Sequence, residues 1–174
     1  MKNLVLILII TLALFGCKKE TITVLDPNQK VFFQFDYINY AWGRMHQGWI
    51  LDSSGNFHTY DEPENWIFPD STDVITERAM QENLSKTQLG SKVVSTSELK
   101  QKIALIVKAS KGKISEPENR MADAGILSYN AFIYDAENKE YKVVVLHQWG
   151  EWVKVNDAPE ANELYEWLKN LNPN

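Results

Sequence analysis

The chain has 174 residues, 18 Lys and Arg against 23 Asp and Glu, a formal net charge of -5, and 44% hydrophobic residues. This composition excludes a disordered chain, which has fewer apolar residues and a larger net charge. The single cysteine excludes an intramolecular disulfide framework, and the acidic balance argues against a nucleic-acid-binding protein, which carries a basic surface. The length fits one domain.

The first twenty residues have the layout of a secretory signal. Lys2 is followed by an apolar run from Leu4 to Phe15. This run is shorter than the about 20 residues that cross a bilayer, and it matches the about 7–15 residues of a signal-peptide core. It ends in Leu14-Phe15-Gly16-Cys17, which resembles the lipobox of bacterial lipoproteins: an aliphatic residue, two mostly small residues and a cysteine.

The resemblance implies that residues 1–16 are removed and that Cys17 receives lipid, so the membrane is the expected partner. Residues 17–30 would then be a tether, and residues 31–174 a single domain. The implied location is the cell envelope, and Lys18 after the cysteine favours the outer over the inner membrane because it gives no acidic retention signal. An ordinary signal peptide with a chance cysteine, or a short N-terminal membrane anchor, is the alternative.

Two strand-rich segments follow. Residues 31–40 are aromatic and β-branched, which predicts a strand. Its faces would hold Val31, Phe33, Phe35 and Tyr37 on one side, and Phe32, Gln34, Asp36 and Ile38 on the other. Residues 48–52 and 57–60 flank Ser53-Ser54-Gly55-Asn56 and predict a hairpin. A four-residue loop or a two-residue turn would put Trp49, Leu51, His58 and Tyr60 on one face.

The remaining segments predict two helices, a second hairpin, a short strand and a last helix. Ser71 or Thr72 is expected to begin a helix that runs to about Lys86, and Gly90 lies in the connection after it. Ser95 and Glu98 form a capping box before a second helix that ends near Lys111. A second hairpin spans 125–135 and 140–149, with its register left open. A short strand at 152–155 and a helix from Pro159 complete the chain.

This order predicts an α+β fold, because hairpins give antiparallel strands and the helices are segregated along the chain. The sheet is expected to consist of two hairpins and an N-terminal strand, packed by about three helices.

No familiar catalytic or phosphate-binding motif is present. The candidate catalytic residues are His46 and His58 with Asp36 and Asp52, since a His/Asp pair can act as an acid and base. No metal or cofactor is predicted, because no ligand spacing supports one. The alternative is that each histidine makes an ordinary hydrogen bond.

The tryptophans suggest a ligand-binding surface. Trp42, Trp149 and Trp152 fall at predicted strand ends or loops, where large rigid rings suit an interface. Glu151 and Asn156, with Gln148, lie near the last two and could supply polar contacts. Core packing is the alternative for each tryptophan.

The favoured hypothesis is therefore a non-catalytic module, tethered to the envelope, that binds a protein, peptide or glycan. Two alternatives remain open. One is a small hydrolase that uses a His/Asp pair. The other is a structural or assembly lipoprotein whose partner surface is a sheet edge or the C-terminal helix.

Overall fold

The computed structural model describes residues 25–41, 43–171 and 173. Cys17 and the lipobox, like Trp42, lie outside the described residues. Within the described residues, no helix combines the length and apolar character needed to cross a membrane. The elements in chain order are β1 (Val31–Asn39), β2 (Met45–Asp52), β3 (Asn56–Asp61), β4 (Val74–Thr76), α1 (Glu77–Leu84), β5 (Gln88–Val93), α2 (Thr96–Ala109), β6 (Glu118–Asn119), β7 (Ile126–Asp135), β8 (Glu140–Gly150), β9 (Trp152–Val155) and α3 (Pro159–Lys169).

The strands form one nine-stranded antiparallel sheet, in the order β5-β3-β2-β1-β7-β8-β9-β6, with β4 added beside β8. The α+β class is confirmed. The simpler sheet of two hairpins and one strand is wrong, because four short strands extend it. The two hairpins are its centre, since β1 joins them by pairing with both β2 and β7.

The β2–β3 hairpin has a different register from the one expected. Leu51 pairs with Phe57 and Ile50 with His58, which leaves three residues, Ser53 to Gly55, between the paired ends of the strands at Asp52 and Asn56. Gly55 takes the left-handed φ of 86° that a three-residue loop requires. Compared with the expected loop of two or four residues, a loop of three residues turns the side chains of β3 to the opposite face of the sheet. His58 and Tyr60 therefore share a face with Ile50, and not with Trp49 and Leu51.

The strand β1 alternates as predicted, except at its start. A bulge between Val31 and Phe33 shifts the pairing with β2. As a result, Val31 packs in a different cluster from Phe33 and Phe35, and Phe32 joins Phe33. From Gln34 onward, the even-numbered residues face one side of the sheet and the odd-numbered residues the other.

The first predicted helix is shorter than expected. Val74-Ile75-Thr76 is β-branched and pairs with Tyr141 and its neighbours on β8, so it forms a strand. The helix α1 begins only after Thr76, whose hydroxyl accepts a hydrogen bond from Ala79 N at 3.2 Å. The expected connection around Gly90 is also a strand, the edge strand β5.

Other predictions are confirmed. Ser95 caps α2 by accepting from Glu98 N at 3.3 Å, which is the serine half of the predicted capping box, while Glu98 Oε1 accepts from Trp167 Nε1 at 2.8 Å. The second hairpin is present, and its register, which the sequence left open, places Asp135 opposite Glu140 across a four-residue loop. The strand β9 and the helix α3 form where the sequence places them, and α3 begins at Pro159.

The sheet separates two hydrophobic clusters. On one face, which we call the α2/α3 face, Phe33, Trp49, Leu51 and Leu146 pack beneath α2 and α3. On the opposite face, which we call the cavity face, Ile50, Tyr60, Phe132 and Tyr141 pack against Trp66, Ile75 and Met80. The second cluster is smaller and covers only part of its face.

Gln29 fixes the chain before β1 to the sheet. It is 1% exposed, donates from Nε2 to the carbonyls of Val31 and Phe132 at 2.7 Å, and accepts from Tyr134 N at 3.0 Å. The end of the predicted tether is therefore part of the packed structure.

Candidate functional site

A cavity of about 630 Å³ occupies the part of the cavity face that the second cluster leaves open. Its volume is in the range of about 300–1,000 Å³ that small-molecule sites occupy. The strands β1, β7 and β8 form its floor, while the segment Trp66–Pro69 and the helix α1 form one wall.

The floor is a stripe of polar side chains across three neighbouring strands. Asp36 pairs with Ser128, and Ser128 pairs with Gln148 on the next strand. Gln34 pairs with Asn130 one step along the sheet. Directly paired residues lie on the same face, so these five polar side chains line one surface. The sequence signal for this stripe is the polar alternation in Gln34-x-Asp36 and Ser128-x-Asn130.

The wall is apolar and held rigidly. Trp66, Ile67 and Phe68 line it, and the amide of Asn83 on α1 fixes its backbone. Asn83 accepts from Ile67 N at 2.9 Å and donates to Ile67 O at 2.7 Å. Because both bonds engage the same residue, the two-proline loop from 62 to 70 is locked onto α1.

Asp36 is the most heavily bonded group of the floor. Its Oδ1 accepts from the Tyr60 hydroxyl at 2.6 Å and lies 2.8 Å from His46 Nε2, while Oδ2 accepts from no described residue. Gln34 donates in turn to the Tyr60 oxygen at 2.9 Å. Burial, reinforced by the nearby Asp36 charge, raises the pKa of Tyr60 well above its ordinary value, so its hydroxyl stays protonated and donates.

The His46 ring lies beneath this network and is 1% exposed. Tyr60, Trp66 and Phe68 surround it at centroid distances of 5.3 to 5.4 Å. Its Nδ1 is buried without a hydrogen-bond partner. The neutral tautomer that donates from Nε2 to Asp36 fits this arrangement, since Nδ1 then keeps a lone pair and needs no acceptor. The free nitrogen is thus closed to a substrate, and Asp36, not His46, faces the cavity.

The other candidate pair, Asp52 and His58, lies at the tip of the β2–β3 hairpin and does not line the cavity. His58 Nε2 is 3.0 Å from Asp52 Oδ2, and Asp52 also accepts from the backbone of Ser54 and Asn56. Burial acts to raise the pKa of Asp52, but the hydrogen bonds from His58, Asn56 and Ser54 outweigh it and lower that pKa. The hydrogen bonds of Asp52 and His58 therefore close the turn between β2 and β3.

The predicted ligand residues do not form one surface. Glu151 and Gln148 line the cavity. Trp149 is 46% exposed and pairs with Leu127, which places it on the α2/α3 face, while Trp152 is 42% exposed and lies outside the cavity lining. Asn156 is buried and bonded to the carbonyls of Ala109 and Val145, so its amide is not free for a ligand. Trp42 lies outside the described residues.

The cavity lining carries three carboxylates, Asp36, Asp123 and Glu151, and its described residues include no Lys, Arg or His. Glu151 accepts from Gly125 N at 3.3 Å. In the described part of the chain, no three His, Cys, Asp or Glu side chains cluster closely enough to hold a metal ion.

Comparisons with protein-family models, with curated proteins and with solved structures find no match to this chain. A function for this chain therefore has to be inferred from the residues of the site itself.

Proposed function

We propose that this protein is a non-catalytic binding module whose ligand, a glycan fragment, a peptide segment or a compound of similar size, occupies the cavity above β1, β7 and β8. The observation that carries the proposal is the polar floor. Gln34, Asp36, Ser128, Asn130 and Gln148 line an open surface where a structural sheet face would carry apolar residues. A few fixed polar groups among apolar walls are typical of small-molecule sites.

The test uses the full chain purified in detergent, titrated with envelope glycans and short peptides. Trp66 lines the cavity, so a bound ligand should change the tryptophan fluorescence. Asn130→Phe should abolish the response, because its ring would fill the floor. Gln47→Phe, on the exposed end of β2, is the matched control and should leave the response intact. No response to any compound, together with no heat of binding, would contradict the proposal.

We also propose that Cys17 carries lipid and holds the module at the cell envelope. The support is the resemblance of the N-terminus to a lipobox, followed by a chain that joins the packed domain by Gln29. Several acyl chains anchor a protein firmly, since each buried CH2 contributes about 0.8 kcal/mol. Cys17→Ser should lose both the added acyl mass in mass spectrometry and the membrane fraction. Retention of the membrane fraction without acylation would indicate an uncleaved N-terminal anchor.

A second candidate is a small hydrolase, favoured by the 2.8 Å contact between His46 and Asp36. In this case Asp36 would exchange protons with the substrate, and His46 would position it from behind. Turnover of ester, glycoside or peptide substrates that disappears in Asp36→Asn would support this candidate. Binding without turnover would exclude it.

A further inference from the structure

We infer that the cavity selects a ligand with an ammonium group, anchored on Asp36. This inference rests on the proposed binding function and assigns the chemistry of its ligand. The first step is the state of Asp36, which is 7% exposed yet lines the cavity. Both hydrogen bonds that the described residues make to its side chain fall on Oδ1, so Oδ2 is the oxygen left to meet a ligand.

The second step is the rigidity of that oxygen. Tyr60 and His46 hold Oδ1 by hydrogen bonds, and both side chains are themselves packed between aromatic rings. The carboxylate therefore cannot turn away from the cavity without losing two hydrogen bonds. A pre-positioned acceptor of this kind binds a donor without the cost of ordering it first.

The third step is the charge of the surroundings. Asp123 and Glu151 line the same cavity, and no cationic side chain of the described residues lines it. A ligand that brings a positive charge and several N–H donors neutralises this excess, whereas an anionic ligand is repelled. The close-set ligand groups that a metal ion requires are missing from the described residues, which favours an organic cation.

The fourth step is the shape of the wall. Trp66 and Phe68 supply aromatic surface beside the carboxylates, which suits the apolar body of an amine and the π-face attraction of a cation. A peptide amino terminus and an amino sugar both present this chemistry. They differ in the group that carries the ammonium.

The test compares two matched pairs of compounds by calorimetry on the full chain in detergent. Leucyl-leucine amide and glucosamine carry the ammonium, while their N-acetyl derivatives lack it. The ammonium member of at least one pair should bind about 10- to 100-fold more tightly, the effect of one charged hydrogen bond. The pair that shows the larger ratio identifies the source as peptide or amino sugar.

Asp36→Asn should remove this preference, and Glu137→Gln, an exposed carboxylate in the loop between β7 and β8, should leave it unchanged. If Asp36→Asn does not fold, Ser128→Lys provides a second variant, because its ammonium would lie opposite Asp36 and take the place of the ligand. Ser128→Lys should then fold and lose ammonium binding.

Equal binding of the ammonium and acetylated members overturns this inference and leaves the binding function standing. An ammonium preference that survives Asp36→Asn and Ser128→Lys also overturns it. If none of the four compounds binds, the ammonium assignment fails, and the wider titration of neutral glycans and peptides decides the binding function separately.

Discussion

At the scale of single residues, His147 gives the protein a defined response to pH. Its ring stacks on Tyr165 at a centroid distance of 4.1 Å, partly out of water. This burial lowers the pKa of His147 below its ordinary 6.5, and Lys169 adds to the effect while Glu166 opposes it. Because His147 binds a proton more readily in the unfolded chain, its neutral folded form costs no stability above about pH 6.5. The free energy of unfolding falls as the pH drops below that value.

His147→Phe should keep the stacking and remove this proton. Urea unfolding at several pH values between 7.5 and 5 should show the native protein losing stability relative to the variant below pH 6.5. The comparison with the variant cancels the titration of the other histidines. If the free energy of unfolding changes with pH in the same way for both proteins, His147 does not contribute to the pH dependence of stability.

Asn156 illustrates a residue whose role the sequence did not reveal. Its amide donates to Ala109 O at the end of α2 and to Val145 O on β8, and its Oδ1 accepts from Ala158 N before α3. Three elements from distant parts of the chain meet at one side chain. The sequence shows only an asparagine near two tryptophans.

Asn156→Ala should destabilise the protein by more than about 2 kcal/mol, since it leaves several buried backbone groups unpaired. Asn162→Ala on the exposed side of α3 is the control and should change the free energy of unfolding by less than about 0.5 kcal/mol. If Asn156→Ala unfolds at the same denaturant concentration as the native protein, water satisfies these groups instead.

At the scale of elements, the β2–β3 hairpin depends on Asp52 and Gly55. The Asp52 carboxylate accepts from Ser54 N at 2.8 Å, Asn56 N at 2.9 Å and His58 Nε2 at 3.0 Å. Because its pKa is lowered, its contribution is present above the ordinary value of 3.8 and is lost as the pH falls through the lower folded value. Asp52→Asn should cost about 1 kcal/mol at neutral pH, since the pair is partly exposed.

That cost should shrink below pH 3.8, where the native carboxylate also becomes protonated. Thermal unfolding of the two proteins from pH 7 to pH 2.5 measures it. Asp61→Asn, at the exposed end of β3, is the matched control. A cost independent of pH would mean that the shape of the side chain matters and its charge does not.

The elements that the sequence predicted well are those with local signals. The capping serine of α2 and the proline of α3 each act within a few residues of themselves. The errors arose where residues distant in the sequence determine the secondary structure or the register. Val74 to Thr76 become a strand because β8 is beside them, and the register of the first hairpin depends on one residue of loop length.

The cavity is the least predictable feature because five separate segments of the chain build it. The polar alternation on β1 and β7 is visible in the sequence, but its significance depends on knowing that these two strands are neighbours. His46 and Asp36 were among the four candidate catalytic residues, with no pairing assigned, and they do form a hydrogen bond. His46 is buried because a loop places Trp66 and Phe68 over it. No local signal in the sequence indicates the path of that loop.

At the scale of the whole molecule, the two faces of the sheet are covered to different extents. The α2/α3 face is closed by two helices and supplies the larger core, whereas the cavity face leaves its central strands uncovered. Polar residues on central strands add little to stability, so the polar floor is expected to lower the stability of the fold.

The double variant Ser128→Val and Asn130→Val tests this division. Valine suits a strand and would contact the apolar residues Phe132 and Val143 of the same cavity. We expect it to stabilise the protein by about 0.5–2 kcal/mol and to abolish ligand binding. Gln47→Val, which makes the same kind of change on the exposed end of β2, should alter neither stability nor binding by a comparable amount.

Denaturant unfolding and calorimetry on the same preparations separate the outcomes. Higher stability with lost binding is expected if the polar floor exists for the ligand. Lower stability would mean that Ser128 and Asn130 support the network around Asp36, and the floor would then be a structural feature. Higher stability with binding retained would move the ligand to another surface of the molecule.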